Sequence, residues 1–198
     1  MQGLDRLLDL GVVEPSARDY LKSRGILGTS ILWFERDEHG EPLAAERWRE
    51  LCLASVTTHD LPPTAGYLAG DHVRLRDRLG LLERSVEDEL AADDEERESW
   101  LGELRRRGLL DGADPEATVE ALHRYLTLTP SRLLCVSLTD AVGDRRTQNQ
   151  PGTTDEYPNW RVPLSGPDSA PLLLEDVLSS ERAVRLARSV GVPRGPER

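Results

Sequence analysis

The sequence predicts an α/β fold built on a small parallel sheet. Three short apolar runs rich in β-forming residues predict buried strands, and they lie at Ser30–Phe34, Leu53–Thr58 and Leu133–Leu138. Segments with helical periodicity separate them, and buried strands joined by helices pair in parallel through crossover connections. Because three strands alone leave a sheet edge unpaired, the pattern indicates part of a larger sheet.

The elements before the second strand follow from local signals. Pro15 is tolerated in the first turn of a helix, and Gly25 is a suitable residue to end that helix. A short helix is predicted over Glu46–Cys52, around Trp48. Residues 1–9 carry several leucines, but the stretch is too short to distinguish a strand end from a helix.

Residues 64–128 carry almost continuous helical periodicity, with leucine and valine stripes typical of amphipathic helices. Trp100 and Tyr125 are predicted to be core or helix-contact aromatic residues. The charged run Asp93–Glu98 is interpreted as a solvated helix face, as such runs usually are. The segment therefore predicts a helical unit between the second and third strands.

The end of the chain predicts two closing helices. They are expected over Leu172–Leu178 and Ser180–Val190, with Ser180 as the N-cap of the second helix. The tail 193–198 is expected to be frayed. The predicted organisation thus has three parts, which are residues 1–63, residues 64–128 and residues 129–198.

Composition limits the classes of ligand. The chain of 198 residues carries 36 acidic and 25 basic residues, for a net charge of −11. This charge opposes nucleic-acid backbones and anionic membranes, so neither is expected as a partner, and a neutral or cationic ligand fits better. The chain has no apolar run long enough to span a membrane and no signal-peptide pattern, which predicts a cytoplasmic protein.

Cysteine and histidine usage gives no sign of a disulfide framework or a metal site. Only Cys52 and Cys135 are present, and both lie in apolar sequence surroundings. The four histidines show no metal-ligand spacing with one another or with the cysteines. We therefore expect neither a metal ion nor a disulfide.

The aperiodic stretch from residue 139 to residue 171 contains the most informative loop, Asn149–Arg161. Connections this long are uncommon in a compact domain unless they bind a ligand, close over a site or are disordered, and Tyr157 and Trp160 argue against disorder. Flat apolar rings beside amide and guanidinium donors suit a sugar, whose faces are apolar and whose edges carry hydroxyls. An ordinary packed loop remains an equal alternative on this chemistry alone.

A second polar feature follows the second predicted strand. His59 and Asp60 come directly after Leu53–Thr58, and Pro62 and Pro63 stop the strand. Charged residues at the carboxyl end of a buried strand are where barrel enzymes place their chemistry. A bare His-Asp pair is weak evidence by itself, but the Asn149 loop downstream strengthens it.

Together these motifs resemble one enzyme family. Asn149-Gln-Pro-Gly-Thr153 followed by Glu156-Tyr-Pro-Asn-Trp-Arg161 resembles the acceptor-side loop of the 4-α-glucanotransferases, or amylomaltases, family seventy-seven of the glycoside hydrolases. Asp9-Leu10-Gly11 resembles the end of the family's Gly-Glu-Asp-Leu-Gly motif at strand five. The resemblance covers nearly the whole chain.

The family resemblance implies a specific fold. In the family the catalytic domain is a (β/α)8 barrel, and the three predicted strands would be its strands six, seven and eight. The sequence then corresponds to the C-terminal half of a TIM-type barrel, with a strand-five stub and a helical insertion over residues 64–128. Barrel strands one to four have no counterpart in these 198 residues, so the three parts together make one incomplete catalytic domain.

The resemblance also implies site roles. Retaining glycosyl transfer needs a nucleophile and an acid/base about 5–5.5 Å apart, and a further carboxylate stabilises the transition state. The family's nucleophile, an Asp at strand four, would lie upstream of Met1, and Leu8 stands where the acid/base Glu should be. Asp9 is no substitute, because adjacent strand residues face opposite sides. Asp60 matches the transition-state stabiliser, and His59 binds the same sugar ring.

The remaining binding residues carried over from the family lie in the long loop. Asn149, Pro151 and Gly152 match the turn that lines the substrate. Trp160 and Arg161 either contact sugar or form a structural clasp, with Trp160 filling a pocket and Arg161 pairing with an acid. Asp140 is equally a sugar contact or a loop-capping residue.

Three functional hypotheses follow. In the first, the chain is a portion or descendant of a 4-α-glucanotransferase that moves α-1,4-glucan segments between maltooligosaccharides without a cofactor, and it is inactive alone. In the second, it is a non-catalytic half-barrel that docks a separate amino-terminal half or another partner. In the third, it is a truncated reading frame. An α/β-hydrolase is disfavoured because no Gly-x-Ser-x-Gly elbow is present.

Overall fold

The computed structural model describes residues 15–191. Eight α-helices and three strands follow in chain order within that range: α1 Pro15–Ser23, β1 Gly28–Ile31, β2 Cys52–Ser55, α2 Thr64–Leu68, α3 Asp71–Arg78, α4 Val86–Arg106, α5 Pro115–Leu126, β3 Leu133–Cys135, α6 Leu138–Val142, α7 Leu174–Leu178 and α8 Glu181–Ser189. Leu8, Asp9, the expected strand-five stub and the tail 193–198 lie outside the described residues.

The three strands form one parallel sheet in the order β1-β2-β3. Thr29 lies opposite Leu53, and Leu53 lies opposite Leu133 on its other side. The predicted α/β class with parallel pairing is therefore confirmed. All three strands are shorter than the apolar runs that predicted them, because the chain leaves the sheet before the end of each run. Leu32–Phe34, expected as strand, is a 3-10 helix whose Leu32 and Trp33 are buried.

The third strand is not buried as expected. Leu133 is 49% exposed, and Cys135 is exposed as well, although Leu134 packs against the core. Of the two cysteines, both of which have apolar neighbours in the sequence, Cys52 is buried and Cys135 is exposed. Within the described residues, no strand pairs with the free side of β3.

The main core lies between the sheet and the helices of residues 64–126. Trp100 and Tyr125 are fully buried, as predicted, and their rings meet edge to face with centroids 5.4 Å apart. Trp33 meets Trp100 in the same way, at 6.5 Å. Aromatic pairs in this geometry add about 0.5–1.5 kcal/mol beyond the burial of their area. The predicted short helix near Trp48 is only a 3-10 turn, Ala45–Arg47, and Trp48 itself is buried.

The charged run on α4 is only partly a solvated face. Asp93 and Arg97 keep only 16% and 11% of their side chains exposed, and the Asp93 carboxylate lies 2.6 Å from Nε2 of His72 on α3. The ring of His72 stacks on Tyr67. The interpretation as a solvated face is therefore wrong for Asp93 and Arg97, because α3 and the end of α2 pack on that side of the helix.

The helix ends follow the sequence signals. Gly25 adopts a φ of 67°, and its amide donates to the carbonyl of Lys22, as a C-terminal glycine does. Ser180 caps α8 by accepting from the amide of Ala183, as predicted. No helix among the described residues is long and apolar enough to cross a membrane.

Candidate active site

The first part of the site is the loop between β2 and α2. The Ser55 hydroxyl donates to the carbonyl of Thr57, and the Thr57 hydroxyl donates to the carbonyl of Pro62 at 2.8 Å. These bonds close the loop over its own backbone and project His59 and Asp60 outward. Nε2 of His59 lies 3.2 Å from a carboxylate oxygen of Asp60, and the two side chains are 59% and 36% exposed.

The second part is the Asn149–Arg161 loop, and it meets the first directly. The side-chain amide of Asn149 donates to Oδ1 of Asp60 at 2.6 Å. The two residues are 89 positions apart in the chain. The two motifs singled out in the sequence thus share one surface, with the Asp60 carboxylate between His59 and Asn149.

The long loop is held in shape by its own polar groups. The amide of Gln150 donates to the side-chain oxygen of Asn159, whose NH2 group donates to the hydroxyl of Thr153 at 2.9 Å. The Tyr157 hydroxyl donates to the carbonyl of Thr147, and burial raises the pKa of Tyr157. This loop is therefore ordered by specific hydrogen bonds rather than by a core of its own.

Pro151 and Gly152 form the turn after Asn149. Pro151 is half-buried and Gly152 is exposed with a φ of 86°, a conformation that favours glycine. Among the described residues, neither Pro151 nor Gly152 makes a hydrogen bond to His59 or Asp60, whose bond from the long loop comes from Asn149. The sequence prediction that both line the site remains a prediction.

Trp160 contacts the first loop and is exposed. Its ring centroid lies 5.0 Å from that of His59, tilted by 44°, and the residue is 64% exposed. The alternative in which Trp160 fills a pocket is therefore wrong, and within residues 15–191 the Arg161 guanidinium forms no ion pair with an acid. Trp160 also has a φ of 61°, which is uncommon for a bulky residue and typical of strained functional positions.

Two buried carboxylates hold the segments that lead into the long loop, and only Asp140 of the two is singled out by the sequence. Asp144 is fully buried, pairs with the guanidinium of Arg146 at 3.0 Å and accepts from the amide of Ser165. The bond to Asp144 is the main cause that raises the pKa of Arg146. Asp140 accepts from both the amide and the hydroxyl of Thr64, so it is a capping residue and not a sugar contact. The signal available in the sequence was the pair of aspartates four positions apart, Asp140 and Asp144, shortly before the Asn149–Arg161 loop.

The same surface contains no cluster suited to a metal. No group of three or more His, Cys, Asp or Glu side chains between residues 15 and 191 is arranged to hold an ion. The polar and aromatic groups that the two loops bring together are the Asp60 carboxylate, the His59 imidazole, the Asn149 amide and the Trp160 indole.

Comparison with known proteins identifies the family. The family model described as 4-alpha-glucanotransferase matches residues 8–169. The chain belongs to the 4-alpha-glucanotransferase family. The 4-alpha-glucanotransferase of Mycobacterium tuberculosis (strain ATCC 25618 / H37Rv) is 68% identical over 189 residues, covering 92% of this chain and 26% of the relative. The chain thus spans about a quarter of the length of the curated relatives it matches.

Solved structures agree with the family. A crystal structure of amylomaltase from Corynebacterium glutamicum superposes with a TM-score of 0.86 at 43% identity, covering 92% of this chain and 28% of that one. Amylomaltase from Streptococcus agalactiae, solved in complex with acarbose, superposes with a TM-score of 0.59 at 19% identity and covers 91% of this chain and 30% of its own. The first match confirms the resemblance argued from the Asn149 loop and the His59-Asp60 pair, and the second supports the fold alone.

Proposed function

We propose that this segment of a 4-alpha-glucanotransferase supplies the transition-state carboxylate and one wall of the glucan site. The observation that carries the proposal is the 2.6 Å hydrogen bond from Asn149 to Asp60, beside an exposed Trp160 over His59. The reaction is retaining transfer of α-1,4-glucan segments between maltooligosaccharides. The family match and this cluster support the reaction, whereas the fold or the composition alone would be compatible with many other activities.

Each side chain has a role that its contacts support. Asp60 holds its carboxylate at the surface, with Oδ1 occupied by Asn149 and the other oxygen beside His59. A carboxylate fixed in this way stabilises the positive charge of an oxocarbenium-like transition state and accepts bonds from sugar hydroxyls. His59 hydrogen-bonds the glucose ring that Asp60 contacts, and Trp160 offers an apolar face to a neighbouring glucose unit. Asn149, Pro151 and Gly152 line the adjoining turn.

The nucleophile and the acid/base come, in this proposal, from residues that precede the described segment in the whole enzyme. The three strands would be strands six to eight of the barrel, with the helices of residues 64–128 inserted between the last two. The open side of β3 supports this arrangement, because Leu133 and Leu138 are 49% and 55% exposed. The 198-residue chain alone is therefore expected to be inactive.

A chimera tests the proposal. Residues 12–198 replace the matching segment of the Mycobacterium tuberculosis relative, so that the relative supplies everything up to the Asp-Leu-Gly segment. Incubation with maltotriose should give glucose and longer oligomers. Asp60→Asn should lower this activity by at least about a hundredfold, because it removes the charge that stabilises the transition state.

The same maltotriose assay provides the control for Asp60→Asn and the outcomes that would contradict the proposal. Asp111→Asn makes the same chemical change at an exposed position away from both loops and should leave the rate unchanged. A folded but inactive chimera, or an active chimera that tolerates Asp60→Asn, would overturn the proposal. Turnover of maltotriose by the 198-residue chain alone would contradict its expected inactivity.

A second candidate function is a docking module with no catalytic role. It is favoured by the large apolar side chains exposed near the end of the chain, namely Leu133, Leu138, Leu173, Leu174 and Leu178. Leu173, Leu174 and Leu178 lie on α7 and its N-cap, and a contiguous exposed apolar patch marks an interaction surface. Light scattering of the chain alone, and again after mixing with the amino-terminal portion of the relative, shows whether a complex forms. A maltotriose assay of the mixture then distinguishes the catalytic proposal from the docking module. Complex formation without activity would favour the docking module.

A further inference from the structure

Asp140 is buried at a point where two segments far apart in the sequence meet, since its partner Thr64 is 76 positions away. We propose that Asp140 is a positioning residue, which sets Asp60 against Asn149 by holding Thr64 at the start of α2. The inference rests on the proposed function of Asp60 and adds a residue to it that touches no substrate. It predicts that the rate of transfer depends on a contact buried beneath the site.

The contact between Asp140 and Thr64 is short, double and buried. Oδ1 of Asp140 accepts from the amide of Thr64 at 2.7 Å, and Oδ2 accepts from its hydroxyl at 2.6 Å. Asp140 is 1% exposed and Thr64 is fully buried. Hydrogen bonds to a charged group are stronger than neutral ones, and a low local dielectric strengthens them further. Water does not compete for either bond, so the contact fixes the distance between the two segments.

Each partner adjoins one of the two loops. Thr64 begins α2, four residues after Asp60, and the bond from Thr57 to Pro62 makes the intervening loop compact. Asp140 lies on α6, nine residues before Asn149. Any shift of α2 relative to α6 is therefore passed through short, hydrogen-bonded segments to both sides of the Asp60–Asn149 bond.

A second observation shows that the two segments are in close contact beyond that pair. A Cβ added to Gly66 on α2 would overlap the carbonyl oxygen of Arg145, which follows α6. The backbones can approach this closely only because residue 66 has no side chain. The Asp140 bonds and this backbone contact lie on the same two segments, so the base of the site is held at two points.

The Asp140 carboxylate depends on Thr64 for its hydrogen-bond donors. Nε2 of His123 lies 3.4 Å from Oδ2 but makes no hydrogen bond, while Nδ1 of the same ring lies 2.9 Å from the carbonyl oxygen of Val119. The two bonds from Thr64 are the side-chain hydrogen bonds that Asp140 accepts in the described structure. Loss of the Thr64 hydroxyl leaves one carboxylate oxygen without a donor, and the segments would then move to find another partner.

Substitutions at Thr64 in the chimera test this inference. Thr64→Val keeps the shape and the backbone amide but removes the hydroxyl, whereas Thr64→Ser keeps the hydroxyl. Thr64→Val should lower kcat about tenfold or more with KM changed less than about twofold, because misplacing a transition-state group costs rate rather than ground-state binding. Thr64→Ser should restore kcat to within about twofold of the parent, as conservative rescue requires.

Thr118→Val is the matched control. Thr118 is also buried, and its hydroxyl donates to the carbonyl of Asp114 within the first turn of α5, so the substitution removes a buried hydroxyl without breaking a bond between α2 and α6. Equal kcat values for Thr64→Val and Thr118→Val would overturn the inference. If Asp60→Asn remains active, the proposed function fails; if Asp60→Asn is inactive while Thr64→Val matches its control, only the positioning role fails.

Discussion

At most positions alanine gives a more stable protein than glycine, and at Trp160 we predict the opposite order. Its φ of 61° places an L-residue in the left-handed region, at a cost of roughly 1–2 kcal/mol. Alanine would keep this cost, whereas glycine would not, although glycine loses about 0.5–1 kcal/mol relative to alanine through the entropy of the unfolded chain. Both substitutions remove the same ring contact with His59, so that loss cancels. We therefore expect Trp160→Gly to be more stable than Trp160→Ala by about 0.5–1 kcal/mol.

Urea unfolding of the chain measures the difference directly. With a slope of about 2 kcal/mol/M, the midpoint of Trp160→Gly should exceed that of Trp160→Ala by about 0.25–0.5 M. Val184 is the control, because it lies inside α8 with an ordinary helical backbone and is 40% exposed. There glycine should be about 1 kcal/mol less stable than alanine. If glycine is the less stable residue at both positions, the argument from strain at Trp160 is refuted.

Two further predictions concern stability away from the substrate surface. Hydrogen bonds from Arg107 lower the pKa of Glu46 to about 2 from 4.5, so the ionised pair stabilises the fold above pH 4.5 and that contribution is lost as pH falls toward 2. In urea midpoints measured from pH 7 to pH 3, the advantage of the parent over Glu46→Gln should shrink below pH 4.5, and a constant advantage would contradict the assignment. Gly66→Ala should destabilise by about 1–3 kcal/mol, because its Cβ overlaps Arg145, whereas Gly102→Ala inside α4 meets no backbone and should stabilise.

The elements of the fold were largely predictable from local signals, and their lengths were not. Apolar runs located all three strands, and Gly25 and Ser180 marked helix ends correctly. The run Ser30–Phe34 was too long as a strand because burial alone does not distinguish extended chain from a 3-10 turn. The exposure of Leu133 depends on which segments cover the sheet, and that is not encoded in the run itself.

The pairing of the two loops could be predicted because it follows from topology. Asp60 and Asn149 each come after a strand of one parallel sheet, and the carboxyl ends of parallel strands lie at the same edge. The side chain of Trp160 was harder to place, since its exposure comes from a left-handed backbone. In an aromatic residue that conformation leaves no signature in the sequence.

The supports beneath the site show where prediction from the sequence fails in principle. A buried aspartate and a threonine 76 positions apart, each in an ordinary helix-start context, gave no local reason to be paired. Sequence patterns report which residues prefer the interior, but a buried carboxylate is tolerated only when particular donors surround it, and those donors are chosen by the tertiary fold. From its position in the sequence, the role of Asp140 could be narrowed to a loop cap or a sugar contact. The contact with Thr64 in the structure decided between these two roles. Thr64 and Asp140, which control the distance between Asp60 and Asn149 most directly, are buried. They therefore cannot be found by looking for residues suited to contact a sugar.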